Sequence, residues 1–378
     1  MVAHCRPLIE VLGEIPDPRH ARGKRHPLPA ILALVCAAVL CGYRSYSAVA
    51  EWARIYPPEV VRALGFTRPQ GPCAGTLCTL LQRLDRVALE AKLGAWAEGV
   101  LASLPAGVGA DEAVALDGKT LRGSRQQGAV GVHLLAALSH RLGLTLGQRA
   151  VDDKSNEITA IGPLLRGLLL EGRIFTVDAL LTQRAVARTI VDGGGDYVMV
   201  VKENQPQLLA DIRLVFTDPP VGDDPLRVQT SDSGHGRSEC RSLTLSRALA
   251  DYSDWPGAQQ VFQLQRRVVT KKTGAVRTQT VYGLTSLDRP RADAARVLAL
   301  TRHHWHIENR SHYVRDVFFA EDRSQVRCGA TPQVMAAFRN TAIGLLRLCG
   351  EGNIAATGRR LAAQPRAALA LLGIPTDY

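Results

Sequence analysis

The order of apolar runs between residues 113 and 201 constrains the fold of this 378-residue chain more than any other feature. Three short runs typical of β-strands come first, and two helical stretches that alternate with two further strands follow. The strands are predicted at residues 113–116, 132–138, 144–151, 174–177 and 197–201, and the helices at 157–170, with Ser155 or Asn156 as N-cap, and at 183–191. The order is therefore βββαβαβ, a meander followed by right-handed crossover units between parallel strands. This order predicts a fold of the α/β class.

Helical patterns dominate the chain before this sheet. A proline at position 27 or 29 marks a helix start, and leucines recur at three-and-four spacing further on. The longest apolar run, residues 28–42, has 15 positions, fewer than the roughly 18–20 that cross a bilayer. Arg44 follows it at once, so we predict a buried helix and no membrane segment. Residues 1–104 are predicted to form an all-α, DNA-binding domain, joined to the sheet by a linker at residues 105–109.

Further β-type runs, broken by Gly, Pro and Asp, interrupt the alternation after the fifth strand. We interpret residues 212–285 as an inserted β-rich subdomain, with strands at 240–245, 261–269 and 278–284. The chain then becomes helical again. The core is thus predicted to comprise residues 110–211 and 286–348, and residues 349–378 to form a basic C-terminal tail.

An excess of basic residues indicates a polyanionic partner. The chain has 46 Lys and Arg against 35 Asp and Glu, a formal charge of +11 and a pI near 9.5. One basic stretch, which contains Arg19, Arg22, Lys24 and Arg25, is either a phosphate-binding segment or a solvated arm. Eight cysteines without a C-x-x-C pair exclude a disulfide framework and a zinc ribbon, and no signal peptide is recognisable. We therefore expect a cytoplasmic protein.

Two acidic residues close two of the predicted strands. Asp117 follows the first strand and Asp178 follows the fourth. In a βββαβαβ order these two strands are parallel neighbours, so the two carboxylates should meet at one edge. Carboxylates in such proximity repel unless cations lie between them, which predicts a pair of hard divalent ions suited to phosphodiester cleavage. The alternative for either residue alone is turn formation or helix capping.

A third acid is expected on a helix that packs beside that edge. Glu308 is the candidate because on a helical wheel it lies about 60° from Trp305 and shares a side with Leu298. The alternative is a surface glutamate paired with Arg315 or Arg302. The competing acids nearby are Asp316, Glu321 and Asp322.

Cations and histidines surround these acids in the sequence. Lys119 and Arg122 lie within five residues of Asp117, and Lys202 follows the fifth strand, where they could hold phosphates or simply keep loops soluble. A zinc site is a less favoured alternative: His304, Glu308 and His312 have i, i+4, i+8 spacing, without H-E-x-x-H or a nearby Cys.

Six stretches in order make the chain recognisable. They are residues 116–124 (LDGKTLRGS), 151–161 (VDDKSNEITAI), 176–183 (TVDALLTQ), 194–207 (GGDYVMVVKENQPQ), 233–237 (SGHGR) and 304–323 (HWHIENRSHYVRDVFFAEDR). In these stretches the sequence resembles DDE transposases of the ISAs1 family, within the broader IS4-like group that includes the H-repeat-associated proteins. Together with residues 15–34, they extend over nearly the whole chain.

The resemblance implies an RNase H-like catalytic core with an inserted β region, which agrees with the βββαβαβ order. It assigns the DDE triad to Asp117, Asp178 and Glu308, with two Mg²⁺ or Mn²⁺ ions as cofactors. Broader IS4-like enzymes have a Tyr, an Arg and a Lys around the Glu; here those positions hold Thr301, His304 and Arg315, and only Arg315 keeps the charge.

The implied activity is divalent-metal-dependent cleavage at insertion-sequence ends and transfer of the 3′-OH strand into target DNA. The implied partner is double-stranded DNA, both the element's terminal inverted repeats and the target, bound by a homodimer when two ends are paired. The candidate DNA-binding residues are Lys119, Arg122, Lys202, His304 and Arg315. Two alternatives stay open: an RNase H-fold nuclease without strand transfer, and a non-catalytic DNA-binding relic.

Overall fold

A computed structural model describes residues 6–104, 111–126, 130–151, 157–234, 236–250, 252–350 and 352–375. Contacts divide the chain into two compact units, of which the first comprises Met1–Ala110, Gly118–Asn156 and Ile307–Tyr378 and the second comprises Asp111–Asp117 and Glu157–His306. The predicted linker at 105–109 and the predicted caps Ser155 and Asn156 lie outside the described residues. The domain boundaries given above stay a prediction.

The first unit begins with six helices, of which the second is apolar along its whole length. They are α1 (Leu8–Gly13), α2 (Leu28–Leu40), α3 (Tyr46–Ile55), α4 (Pro58–Ala63), α5 (Ala74–Arg83) and α6 (Arg86–Ser103). Helix α2 starts after Pro27, and every residue in it except Pro29 is buried, as the apolar run predicted. Apolar residues on all sides make α2 a core helix rather than an amphipathic surface helix. In the described part of the chain, no helix has the length and apolarity needed to cross a membrane.

The rest of the first unit is a hairpin covered by helices. Strands β2 (His133–Ser139) and β3 (Thr145–Val151) pair antiparallel, and both α6 and the long helix α12 (Thr331–Leu348) pack on β3. The expected C-terminal tail instead forms α13 (Ile354–Ala363) and α14 (Pro365–Leu371). The Ile9 amide donates to the Leu372 carbonyl at 3.0 Å, so this segment packs back on the first helix.

The second unit contains the parallel strands that the sequence predicted. Strand β1 (Glu112–Thr120) pairs in parallel with β4 (Arg173–Val177), and β4 pairs in parallel with β5 (Asp196–Val201). Helix α7 (Glu157–Leu165) precedes β4, and helix α8 (Arg184–Asp192) connects β4 to β5. The prediction that the first and fourth strands are parallel neighbours is confirmed.

The β-rich insertion continues this sheet beyond β5. After helix α9 (Pro206–Thr217) come β6 (Leu226–Gly234), β7 (Arg237–Ser246), β8 (Gln260–Thr270) and β9 (Val276–Thr285), and β9 pairs antiparallel with β5. Within this unit the strand order is β1-β4-β5-β9-β8-β7-β6. Strand β6 was missed in the sequence because its outer half (TSDSG) is polar and exposed.

The fold class is as predicted: a helical N-terminal region is followed by a mixed sheet with interspersed helices, an arrangement of the RNase H-like type. Helix α10 (Ala294–His304) packs on one face of the sheet, where Val297 and Leu298 meet Leu243 and Leu264. A π-helical segment (Ile307–His312) and α11 (Tyr313–Val317) follow it in the chain and precede α12.

Candidate active site

Strands β1 and β4 carry the two predicted aspartates at adjacent positions. Their last paired residues are Leu116 and Val177, and the next residue on each strand is Asp117 or Asp178. Strand β1 itself continues to Thr120, so Asp117 lies inside the strand and not directly after it, as the sequence analysis had placed it. Pairing with β4 nevertheless ends at Leu116, which leaves both acids at the carboxyl ends of paired parallel strands.

Asp178 also forms the turn that was the alternative for this residue. Its Oδ1 accepts a hydrogen bond from the Leu181 amide at 3.1 Å, and its carbonyl accepts one from the Thr182 hydroxyl at 2.8 Å. The turn uses one of the two carboxylate oxygens. Turn formation and a functional role for Asp178 are therefore compatible.

Glu308 lies on a π-helical segment and not on a continuous helix. Helix α10 ends at His304, so the helical wheel that placed Glu308 and Trp305 on an inward side was wrong: the Trp305 side chain is 62% exposed. Glu308 is itself half exposed, and its Oε2 lies 3.6 Å from Nδ1 of the buried His312. Burial lowers the pKa of His312, so the imidazole is neutral near neutral pH and able to offer a lone pair.

A cavity of about 400 Å³ opens in the first unit beside Glu308 and His312. Its other lining residues are Gly118, Lys119, Thr120, Arg122, Arg125, Asp316 and Asp322. Lys119 Nζ lies 2.6 Å from Asp316 Oδ2, and the exposed Arg122 lies 3.7 Å from Asp322 Oδ2. The cavity therefore mixes three acids with three strong cations, of which Arg125 was missed although it follows the GKTLRGS stretch directly.

Three side chains form the group best suited to a metal ion. Asp117, Glu308 and His312 each offer one ligand atom, and these atoms lie within 4.8 Å of one another. Two carboxylate oxygens and one neutral imidazole suit a divalent cation such as Mn²⁺ or Mg²⁺. Among the described residues this group includes neither Asp178 nor His304. His304 Nδ1 instead lies 3.1 Å from the Thr176 hydroxyl, so the predicted His304–Glu308–His312 set is wrong in its first member.

Arg315 has a different environment from the one predicted. Its side chain is fully buried in α11, and its Nε and Nη2 each lie 2.8 Å from Glu321 Oε2, while Arg339 Nη1 lies 2.7 Å from Glu321 Oε1. Burial alone would raise the pKa of Glu321, but the charges of Arg315 and Arg339 together lower it. A phosphate contact by Arg315 and a metal-binding role for Glu321 are both contradicted, because each side chain is enclosed with the other.

A close backbone approach joins two loops of this cavity. Gly123 lies in the short 3₁₀ turn Arg122–Ser124, and a Cβ added there would lie 2.5 Å from the Glu321 carbonyl oxygen and 2.8 Å from the Ser324 amide. The Gly123 carbonyl in turn accepts a hydrogen bond from Arg327 Nε at 2.9 Å. Only glycine allows this approach without displacement of one loop.

The remaining predicted cations differ in their pairing. Lys202 is exposed at the end of β5 in the second unit. In the N-terminal basic stretch, Arg19 binds Asp17 at 2.9 Å and Lys24 lies 3.6 Å from the same residue, whereas Arg22 and Arg25 are exposed. Half of that stretch is thus occupied with its own carboxylate.

Comparisons with known proteins agree with this architecture. Residues 109–345 match the family model described as the transposase DDE domain, and residues 9–97 match the DDE_Tnp_1-associated model. The "Putative transposase YncI" of Escherichia coli O157:H7 is 30% identical over 358 residues, 91% of this chain and 88% of that protein. The "Uncharacterized protein in dhlA 3'region" of Xanthobacter autotrophicus is 35% identical over 71% of this chain and 90% of its own length. The "H repeat-associated putative transposase YhhI" of E. coli K12 is 29% identical over 90% of each chain. This chain belongs to the family of transposases that carry a DDE domain.

Proposed function

We propose that this protein is a transposase of the ISAs1 type, which cleaves DNA at the ends of an insertion sequence and transfers the freed 3′-OH strand into target DNA. The observation that supports this most directly is the group of ligand atoms from Asp117, Glu308 and His312. The adjacent positions of Asp117 and Asp178 on paired strands add a second carboxylate at the same strand ends.

The donor set determines which cofactor we propose. Asp117, Asp178 and Glu308 supply carboxylate oxygens, the ligands that Mg²⁺ and Mn²⁺ prefer, and we propose that they hold two such ions. His312 is an additional candidate ligand, and imidazole suits Mn²⁺ better than Mg²⁺. When bound, the ions supply activation of the attacking oxygen and stabilisation of the leaving oxygen. No side chain is required as a covalent nucleophile.

The cations of the chain have a separate task in this proposal. Lys119, Arg122 and Arg125 line the cavity, where they would attract and orient the phosphates of the DNA backbone. Lys119 is held by Asp316, so its ammonium has a fixed position. We also propose phosphate contacts for Lys202 and His304, and we exclude Arg315 because it is fully buried. Simultaneous binding of two element ends would require a homodimer.

The experiment uses a plasmid that carries the gene with several hundred base pairs of flanking DNA on each side. We compare the parent protein with Asp117→Asn and Asp178→Asn for cleavage in Mg²⁺ and in Mn²⁺. Loss of a metal-binding carboxylate should reduce cleavage by at least about 100-fold. DNA binding should change by less than about threefold, because neither acid contacts phosphate directly. Asp192→Asn, an exposed acid at the end of α8, is the matched control and should keep full cleavage.

Each other outcome overturns part of the proposal. Full cleavage by both variants would refute the site. Cleavage by the parent without joined products would identify a nuclease that lacks strand transfer. DNA binding by the parent without any metal-dependent cleavage would identify a non-catalytic relic.

A further inference from the structure

The four strands β6–β9 form a regular sheet whose two faces can be assigned residue by residue. The register is constant along all three pairings, so residues opposite each other on neighbouring strands point to the same face. Near β5 one face is apolar: Leu243 and Leu264 pack against α10 there. We call a set of residues that lie opposite one another across β6–β9 a row, and name it by its residue on β7. Successive rows along the strands alternate between this face and the opposite one.

On the α10 side, the rows beyond the apolar cluster are rich in arginine. The row of Arg241 contains Arg266, the next row on this face contains Asp232, Glu239 and Arg277, and the row after that contains Arg237. Arg302, from the last turn of α10, lies 2.9 Å from Asp232 Oδ2, which confirms that this helix faces these rows. We call this surface the arginine face, defined by Arg237, Arg241, Arg266 and Arg277. Together with Arg302 it has five arginines against two acids.

The opposite face of the same rows is nearly uncharged. On this face the row of Ser242 also contains Gln229, Gln265 and Thr280, and the row of Cys240 also contains Ser231, Arg267 and Thr278. Arg267 is the single charge in these two rows. Helix α9 covers the inner end of this face, where Arg213 stacks over Tyr282. The asymmetry is therefore a property of one face and not of the whole insertion.

Ion pairing leaves two of the arginines available to a ligand. Glu239 binds both Arg266 and Arg241, and the hydrogen bond from Arg266 and the nearby arginine charges lower its pKa against the opposing effect of burial. Asp232 binds Arg241 at 2.9 Å. Arg237 and Arg277 are exposed, and neither is ion-paired with a described residue. Lys271 and Lys272, in the turn between β8 and β9, add exposed charge at the same end of the sheet.

We propose that the arginine face binds the phosphate backbone of double-stranded DNA. The identity of the polyanion rests on the proposed function; the face itself is defined by charge and register. Strands lie about 4.8 Å apart, so Arg237 on β7 and Arg277 on β9 form a fixed array about 10 Å wide, and guanidinium groups bind phosphates bidentately. Binding of single strands commonly uses aromatic stacking, and the rows of Arg241, Glu239 and Arg237 contain no aromatic residue.

The test measures binding of a random-sequence 30-base-pair duplex by fluorescence anisotropy, in EDTA and at several KCl concentrations. The variant Arg237→Gln/Arg277→Gln is compared with the parent protein and with Arg267→Gln. Arg267 is the matched control because it lies opposite Thr278, the neighbour of Arg277, and therefore points to the opposite face of the sheet. Each phosphate contact contributes about 0.9 to the slope of log K against log salt, so the double variant should lose about 2 from that slope. Its affinity at about 100 mM salt should fall roughly tenfold, while the control changes by less than about twofold.

Three results would overturn the proposal. They are an unchanged slope in the double variant, an equal loss in Arg267→Gln, or a loss confined to a single-stranded 30-mer. Thermal unfolding of both variants verifies that they fold, and exposed substitutions of this kind should leave it unchanged. Because the assay contains no divalent ion, its outcome is independent of cleavage. This surface can bind DNA in a protein that does not cleave it, and a protein that cleaves DNA can fail to bind it through this surface.

Discussion

Two groups of opposite charges in the first unit use the same residue types but differ in their access to water. The Arg315–Glu321–Arg339 cluster is enclosed, with side chains at most 2% exposed. The cavity group, with the pairs Lys119–Asp316 and Arg122–Asp322, is open, and the Arg122 side chain is 71% exposed. In an enclosed cluster the charges compensate one another away from water, so the loss of one member leaves the others uncompensated. An open group retains the capacity to bind a ligand, so burial distinguishes a structural cluster from a candidate site better than residue type does.

A partly buried glutamate refines this comparison. Glu90 on α6 accepts hydrogen bonds from Gln148 Nε2 at 2.6 Å and Gln333 Nε2 at 2.8 Å, and Asn340 donates to Gln148. Burial raises the pKa of Glu90 to about 7, which its amide partners only partly oppose. Glu321 has charged partners and a lowered pKa. The partner, and not burial alone, decides whether a buried carboxyl is charged.

The largest effect is expected at the open group. Glu308→Gln should reduce metal-dependent cleavage by at least about 100-fold, because the variant loses the charge of a proposed ligand. Because the side chain is half exposed and the substitution preserves its shape, the free energy of unfolding should change by less than about 0.5 kcal/mol. Cleavage assays and urea titration measure the two quantities on the same preparation. Wild-type cleavage in the variant would remove Glu308 from the site.

The next largest effect is expected at the enclosed cluster. Glu321→Gln leaves two buried guanidinium groups without their counter-charge and should cost about 3–5 kcal/mol of unfolding free energy. Because the folded-state pKa of Glu321 is lowered, its contribution to stability is present above the unfolded pKa and lost as pH falls through the folded pKa. Urea titrations at pH 7 and pH 4 measure both. A loss below about 1 kcal/mol at pH 7 would mean that the cluster is not structural.

A smaller, pH-dependent effect is expected at Glu90. Its folded-state pKa of about 7 lies above its unfolded value, so its contribution to stability is complete below about pH 4.5 and lost as pH rises towards 7. Glu90→Gln should remove that dependence and be more stable than the parent by about 1–2 kcal/mol at pH 8, with little difference at pH 4. Thermal unfolding across this pH range is the measurement. Parallel curves for the two proteins would contradict the raised pKa.

The smallest effect is expected at the exposed pair. Asp322→Asn should change the unfolding free energy by no more than about 0.5 kcal/mol, because a solvent-exposed ion pair contributes little. Arg122→Gln should be equally mild for stability but should weaken binding of a DNA duplex a few-fold. Urea titration and anisotropy separate the two quantities. Destabilisation by either variant comparable to that of Glu321→Gln would erase the distinction between open and enclosed groups.

The sequence correctly predicted the strands of the core and the order in which they pair. The five core strands, the parallel pairing of β1 with β4 and the adjacency of Asp117 and Asp178 follow from period-two patterns with short connections. The apolar helix α2 was equally accessible, because fifteen nearly continuous apolar positions leave few alternatives.

The sequence did not predict features set by tertiary contacts. The break after His304 is not marked by Gly or Pro, so the helical wheel carried an α-helical period across a π-helical segment. Arg315 looked like a surface cation because Arg339, which shares its partner Glu321 and encloses it, comes from another helix. Strand β6 was not predicted because its residues far from the core are polar and lack the apolar alternation that identifies a strand.

The glycine at position 123 has a consequence for variation among relatives. Main-chain atoms of Glu321 and Ser324 occupy the space that a Cβ on Gly123 would need, so this contact between the two loops does not depend on the identity of the flanking side chains. Substitutions at Arg122 or Asp322 could therefore alter the chemistry of the rim while the backbone stays where it is. Divergent members of the family would be free to change what they recognise here, provided that this one position keeps a hydrogen in place of a side chain.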